Sequence, residues 1–139
     1  MEINFFSEDV DFKLESEDNI KSWIETTFNN EGLNFKSLNL IFCSDSFLLD
    51  INKTYLQHNF YTDVITFNLS EDSTSGEGEI YISVDTVINN AREFTVSFEQ
   101  EIYRVIIHGV LHLCGYSDHS DIEKTVMQGK ENFYLDRLF

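Results

Sequence analysis

Three of the chain's four histidines, His108, His112 and His119, fall between Ile106 and His119. Neutral imidazole is a good ligand for zinc and for other late first-row metals, so this is where chemistry is to be sought. His108 and His112 are four residues apart. On an α-helix that spacing puts both rings on one face, one turn apart. Gly115 is the natural residue to end the helix, because glycine takes a left-handed conformation without steric cost. The chain then turns through Tyr116, Ser117 and Asp118, which can return His119 to the open side of the pair. Two ligands from a helix and a third from the following turn form an open three-ligand site, the usual layout of a catalytic zinc with its fourth position left to water. One zinc per chain is expected, although iron, nickel and copper also accept imidazole. An ion held by three neutral imidazoles keeps its positive charge, brings the pKa of bound water down to about 7 and polarises a phosphoryl or carbonyl oxygen. The chemistry is therefore a hydrolysis.

A pair of histidines at this spacing is by itself compatible with an ordinary, half-buried helix. The third histidine past the glycine stop makes it a metal constellation. The helix departs from the metalloprotease pattern H-E-x-x-H, in which the residue after the first histidine is the general base. Here that residue is Gly109. A glycine there permits close approach by another part of the chain or by a substrate.

The elements around this helix are legible from periodicity. Residues 2–6 and 10–14 alternate apolar and polar, and each predicts a strand or an extended segment. Ile20, Trp23, Ile24 and Phe28 recur at helical spacing, with Asp18 as a candidate N-cap and Gly32 closing the helix. Leu38–Phe42 predicts a strand. Ser44 or Asp45 then caps a helix carrying Leu48, Leu49, Ile51 and Tyr55. Asp63–Phe67 and Ile80–Val84 predict two further strands, joined by an acidic loop over 69–79. In the strand before that loop, Thr62 and Asp63 are candidate substrate contacts as well as turn caps. Val84, Val87, Ile88, Ala91 and Phe94 mark a helix, with Arg92 on its polar side as a candidate phosphate contact. Ser97-x-x-Gln100 and Ser120-x-x-Glu123 are capping boxes that open the metal helix and a final helix. The final helix carries Val126, Met127, Phe133 and Leu135. The expected architecture is a single α+β domain over residues 1–139. It has a mixed sheet of about four strands, about five helices, and the metal helix at the centre.

Composition sets bounds. The 139 residues are 42% hydrophobic, with thirteen phenylalanines, a globular profile long enough for a real core. Two cysteines, Cys43 and Cys114, are too few for a disulfide framework and read as small buried residues of a reducing cytosol. Cys114, two residues from His112, points to another helix face and is not expected to be a ligand. No signal segment or membrane span is visible, so a cytoplasmic location is expected. The net charge of −16 opposes tight, free association with nucleic acid, whose binding normally rests on Lys and Arg. An acidic protein can still bind RNA through a local cleft, a metal or a basic partner.

The motifs resemble the YbeY family, bacterial endoribonucleases and ribosomal RNA maturation factors. His108-Gly-Val-Leu-His112-Leu-Cys-Gly115-Tyr116 followed by Asp118-His119 is similar to the family pattern H-G-x-L-H-L-x-G-Y-D-H. Asn52-Lys-Thr-Tyr55 and Thr62-Asp-Val-Ile-Thr-Phe67 resemble its N-x-x-[aromatic] and P-T-D-V-L-S-F. Gly78-Glu-Ile-Tyr-Ile-Ser83 resembles its G-[DE]-I-x-I-S. The chain also departs from the pattern. Ser117 is an extra residue that moves the third histidine one place on, which makes Asp118 an alternative third ligand. Leu56 stands where the family carries an arginine held to matter for catalysis, and Tyr61 where it carries a proline. The resemblance implies a single-strand-specific, metal-dependent endoribonuclease acting in 3′-end maturation of 16S ribosomal RNA and in ribosome quality control. It also implies partners: the small ribosomal subunit, a basic ribosomal protein or an assembly GTPase, with no membrane. Proton handling would fall to the RNA 2′-hydroxyl, to a solvent chain, or to His58 or Asp118 as catalytic candidates, His58 lying near the missing arginine. Two other classes remain compatible with the residues. One is a zinc metallopeptidase or amidohydrolase, for which Gly109 is the weak point. The other is a non-catalytic ribosome-assembly factor with a structural metal.

Overall fold

The structure is a computed structural model that describes residues 1–59, 61–70 and 76–138. Its elements run β1 (Glu2–Ser7), α1 (Glu17–Asn30), β2 (Ser37–Cys43), α2 (Asp45–Leu56), β3 (Val64–Asn68), β4 (Glu77–Ser83), α3 (Val84–Phe94), α4 (Phe98–Leu113) and α5 (Asp121–Leu135). The four strands form one mixed sheet in the order β1-β2-β4-β3. β1 and β2 are parallel, as are β2 and β4, whereas β3 runs antiparallel to β4. The α+β class, four strands and five helices agree with the sequence reading.

Alternation in the strands divides the core. Leu38, Leu40 and Phe42 of β2, with Ile80 and Ile82 of β4, face the main core, which α1, α4 and α5 complete through Ile20, Ile24, Phe28, Ile102, Ile106 and Met127. The other sheet face carries Cys43 and Ile65, which meet Leu48 of α2 in a smaller cluster. Burial raises the pKa of the Cys43 thiol to about 12, with nearby carboxylates adding to it, so the group is an inert core residue.

α4 lies against β3 and β4. Its expected apolar face, Ile102, Val105, Ile106, Val110 and Leu113, is buried throughout. Gly109 sets how closely the helix sits. A Cβ there would lie 2.9 Å from Ile80 Cγ2, 3.2 Å from Ile80 Cδ1 and 3.4 Å from Thr66 Cγ2. The close approach that a glycine permits is thus made by side chains of the sheet.

Some sequence expectations do not hold. Of the two alternatives for residues 10–14, the strand is not formed. Leu14 is buried, and the Phe12 ring packs edge-on against Phe42 and Phe98. Alternation reports which side chains are buried, and here packing meets that pattern without a backbone ladder. The N-cap of α1 is Ser16, in a left-handed conformation, and Asp18 falls in the first turn, where its charge complements the helix dipole. β4 begins at Glu77, three residues earlier than expected, because Glu77 and Gly78 pair with Asn68 and with β2. The expected acidic loop at 69–79 lies partly outside the described residues. In α3 and α5 the apolar pattern overstates the core. Ile88 and Phe94 of α3 and Val126 and Phe133 of α5 are exposed. The buried face of α5 is Met127, Glu131 and Tyr134.

Both capping boxes form as read, Ser97 with Gln100 and Ser120 with Glu123. Glu31, just past α1, accepts hydrogen bonds from the Tyr116 hydroxyl at 2.6 Å and from the Tyr134 hydroxyl. The Trp23 indole donates to the Tyr134 carbonyl at 2.8 Å. These bonds tie α5 and the turn after α4 to the first helix.

Two stability outcomes follow. Gly109→Val forces Ile80 to shift in a filled core and should destabilise the protein by about 2 kcal/mol or more. Denaturant unfolding checks this, and a native midpoint would contradict the packing described. Ser97→Ala removes one side of a capping box far from the histidines. It should cost about 1 kcal/mol in the same assay while metal binding by the folded protein is unchanged.

Candidate metal centre

The end of α4 is built by a Schellman turn. Gly115, with φ at +102°, follows the cap Cys114. Its N–H donates to the His112 carbonyl at 3.0 Å, and the Tyr116 N–H reaches back to the Leu111 carbonyl at 3.1 Å. The turn brings the Tyr116 carbonyl onto the helix it has just closed, where it lies 2.9 Å from His112 Nδ1. With Nδ1–H donating to that carbonyl, the lone pair of His112 is on Nε2.

His108 is held in the same sense from a different element. Its Nδ1 lies 2.5 Å from Oε2 of Glu131, on the buried face of α5. Both rings thus turn Nε2 to one point, and the two Nε2 atoms are 2.9 Å apart. Asp118 Oδ2 completes a triangle at 3.4 Å from His108 Nε2 and 3.6 Å from His112 Nε2. Tetrahedral ligands at about 2.0–2.2 Å from zinc are separated by about 3.3–3.6 Å. His108, His112 and Asp118 therefore form a donor set that fits one divalent ion with small adjustment. Its chemistry is that of two imidazoles and a carboxylate. The carboxylate cancels one unit of the ion's charge, which three neutral imidazoles would not.

His119, the third ligand expected from the sequence, is exposed and outside this cluster. Asp118, its alternative, is the residue brought to the pair. The extra Ser117 accounts for the exchange, since Asp118 now follows His112 by six positions and His119 by seven. Both residues line a cavity of about 320 Å³ with His108 and His112. Asn52, Leu56 and His58 from the end of α2, and Thr62 to Thr66 from the start of β3, complete its wall. His58 is an exposed residue of that wall, just past the left-handed Gln57 that ends α2. Leu56 is part of the wall too, so the position the resemblance gives to an arginine does face the metal donors' cavity. Arg92 lies at the last turn of α3, outside the cavity. Cys114 is also outside the donor set, and burial raises its thiol pKa to about 12.

The electrostatics are those of a half-buried carboxylate–imidazole network. Burial disfavours the charged form of His108, but the Glu131 hydrogen bond and the charges of Glu131, Asp63 and Asp118 outweigh it and raise its pKa. Burial and the neighbouring His108 lower the pKa of His112, and Asp118 opposes them only in part. Burial raises the pKa of Asp63, which the charge of His108 counters. Asn52 and Glu131 are the site residues that spacing arguments missed. Asn52 is buried in the cavity wall, and its signal was its place in the N-x-x-[aromatic] motif. The signal for Glu131 was a glutamate in register with Met127 and Tyr134, on the side of α5 that must be buried.

A family model described as "Endoribonuclease YbeY" matches residues 2–139. An "Endoribonuclease YbeY" of Amoebophilus asiaticus is 47% identical over 133 residues, covering 96% of this chain and 90% of the relative. Relatives of the same description from Cytophaga hutchinsonii and Flavobacterium psychrophilum are each 42% identical, covering 96% of this chain and 93% and 94% of their own lengths. A solution structure of a Thermotoga maritima protein superposes with a TM-score of 0.63 at 29% identity, over 98% of this chain and 88% of its own. With the family pattern matched along nearly its whole length, this chain belongs to the endoribonuclease YbeY family.

Proposed function

We propose that this protein is a metal-dependent endoribonuclease that cuts single-stranded RNA, and that its substrate is the 3′ end of the small-subunit (16S) ribosomal RNA during maturation. The observation that carries this reading is the donor triangle of His108, His112 and Asp118 opening into a cavity in a chain of the YbeY family. Zinc is the proposed ion, since two imidazoles and a carboxylate with an open position suit it. Such an ion would supply positive charge to a phosphoryl group and acidify water at the site.

The chain's own groups take the remaining roles. His58 and His119 line the cavity and are the proposed proton carriers, together with the RNA 2′-hydroxyl. Asp118 is assigned to the metal rather than to proton transfer, because its Oδ2 completes the triangle, 3.4 Å from His108 Nε2 and 3.6 Å from His112 Nε2. Gly109 is packed on the sheet and leaves no general base beside His108, which argues against a peptidase. The net charge of −16 favours binding of RNA already held by the small ribosomal subunit or a basic ribosomal protein, with an assembly GTPase as a further partner. A cytoplasmic location and a part in ribosome quality control belong to the same proposal. No helix among the described residues is long and apolar enough to cross a membrane.

One observation favours a second reading. Leu56 in the cavity wall offers no charge to a phosphate, as would suit an assembly factor whose metal is structural.

The deciding assay is cleavage of a single-stranded ribosomal RNA 3′-end fragment by the zinc-loaded protein. The expected outcome is cutting that stops on chelation, returns with zinc and is absent in a folded His112→Ala. Zinc bound with no cutting, alone or with small-subunit particles, would favour the structural-metal reading. Leu56→Arg adds a cation at the wall of the cavity and should lower KM for the RNA by several-fold with little change in kcat. An unchanged KM would mean that the strand does not pass that wall.

A further inference from the structure

Glu131 is buried at 6% exposure on α5 and divides its carboxylate between two partners. Oε2 meets His108 Nδ1 at 2.5 Å, and Oε1 accepts from Arg104 Nη1 at 2.8 Å. The Arg104 guanidinium in turn donates through Nη2 to Asn132 Oδ1 at 2.8 Å. Arg104 and His108 are four apart on α4, so the carboxylate of one helix bridges two successive turns of the other. A buried carboxylate is costly to desolvate unless charge and hydrogen bonds compensate it. Here an arginine supplies the charge and an imidazole takes the other oxygen, which leaves the group one orientation.

We infer that Glu131 is a positioning residue for the metal centre. By accepting the Nδ1 proton of His108 it selects the tautomer whose Nε2 lone pair faces His112 and Asp118, and Arg104 fixes the carboxylate that does so. His112 has only a backbone carbonyl for the same purpose. The two ligands are therefore held unequally. His112 is oriented by the turn that closes its own helix, and His108 by the docking of α5. A ligating histidine whose second nitrogen is bonded to a carboxylate is a stronger and better-aimed donor. This inference rests on the metal-centre reading, but not on RNA being the substrate.

The test reads metal binding and tautomer rather than cleavage. Zinc affinity is measured by competition with a chromogenic chelator for the native protein, Glu131→Leu, Glu131→Ala and Arg104→Leu. Two-bond proton–nitrogen spectra of the metal-free proteins report the His108 tautomer. Glu131→Leu is expected to weaken zinc binding about 10- to 100-fold and to replace the single Nδ1–H form of His108 with a mixture. Arg104→Leu should give a smaller loss and retain the Nδ1–H form. A folded Glu131→Leu with native zinc affinity and native tautomer overturns the inference. So does an Arg104→Leu protein that matches Glu131→Leu in affinity while its tautomer stays native, because the carboxylate would then serve only to dock the helix. If Glu131→Leu does not fold, Glu131→Ala decides, since it removes the acceptor without placing a branched side chain in the helix interface. A measurable loss of affinity supports the inference, and native affinity overturns it. A native protein that binds zinc and cuts no RNA would sink the nuclease proposal and leave this result standing.

Discussion

At Gly109 the metal helix has no side chain, and Ile80 of the sheet fills the space that one would take. That contact fixes the height of α4 above β3 and β4. Everything polar at the site is measured from it. His108 precedes the contact by one residue and His112 follows by three, so both rings leave the helix beside the sheet rather than over it. The cavity wall then comes from β3 itself, whose Val64 and Thr66 lie under the helix. A larger residue at this one position would tilt or lift the helix and move both imidazoles against a wall that does not move with them.

The donor set also depends on what stands behind it. Each imidazole is bound through Nδ1 to an acceptor that belongs to a different feature of the fold. One is the carbonyl at the end of a glycine-dependent turn, and the other a buried carboxylate on the last helix. The turn and the last helix are in turn joined to α1 through Glu31, whose two oxygens take the Tyr116 and Tyr134 hydroxyls. The geometry of the candidate metal site is therefore a property of three helices, although the three groups that could hold an ion lie within eleven residues of sequence, from His108 to Asp118.

Much of this was legible in the sequence for physical reasons that do not need tertiary context. The i, i+4 histidines, the glycine stop and both capping boxes are local, and local rules decide them. The four strands and five helices followed from periodicity. What failed was what depends on distant parts of the chain. Residues 10–14 alternate because their side chains pack on the core from a segment without a partner strand. Exposure of Val126 and Phe133 depends on which side of α5 meets α4, and the buried side carries Met127, Glu131 and Tyr134, with Glu131 paired to the half-buried Arg104. Glu131 stands 23 residues from the histidine it touches, and no spacing rule connects two helices. Which of Asp118 and His119 stands beside the histidine pair is a matter of one position in a tight turn, which local spacing does not resolve.

The site's placement in the chain has a consequence for synthesis. All four strands are complete by Ser83, while every metal donor and the carboxylate behind His108 fall between His108 and Glu131. A ribosome making this protein therefore delivers the scaffold first and the ligands last. Chains released before His108 carry none of the candidate metal donors. A copy interrupted later, but before Glu131, still lacks the carboxylate behind His108.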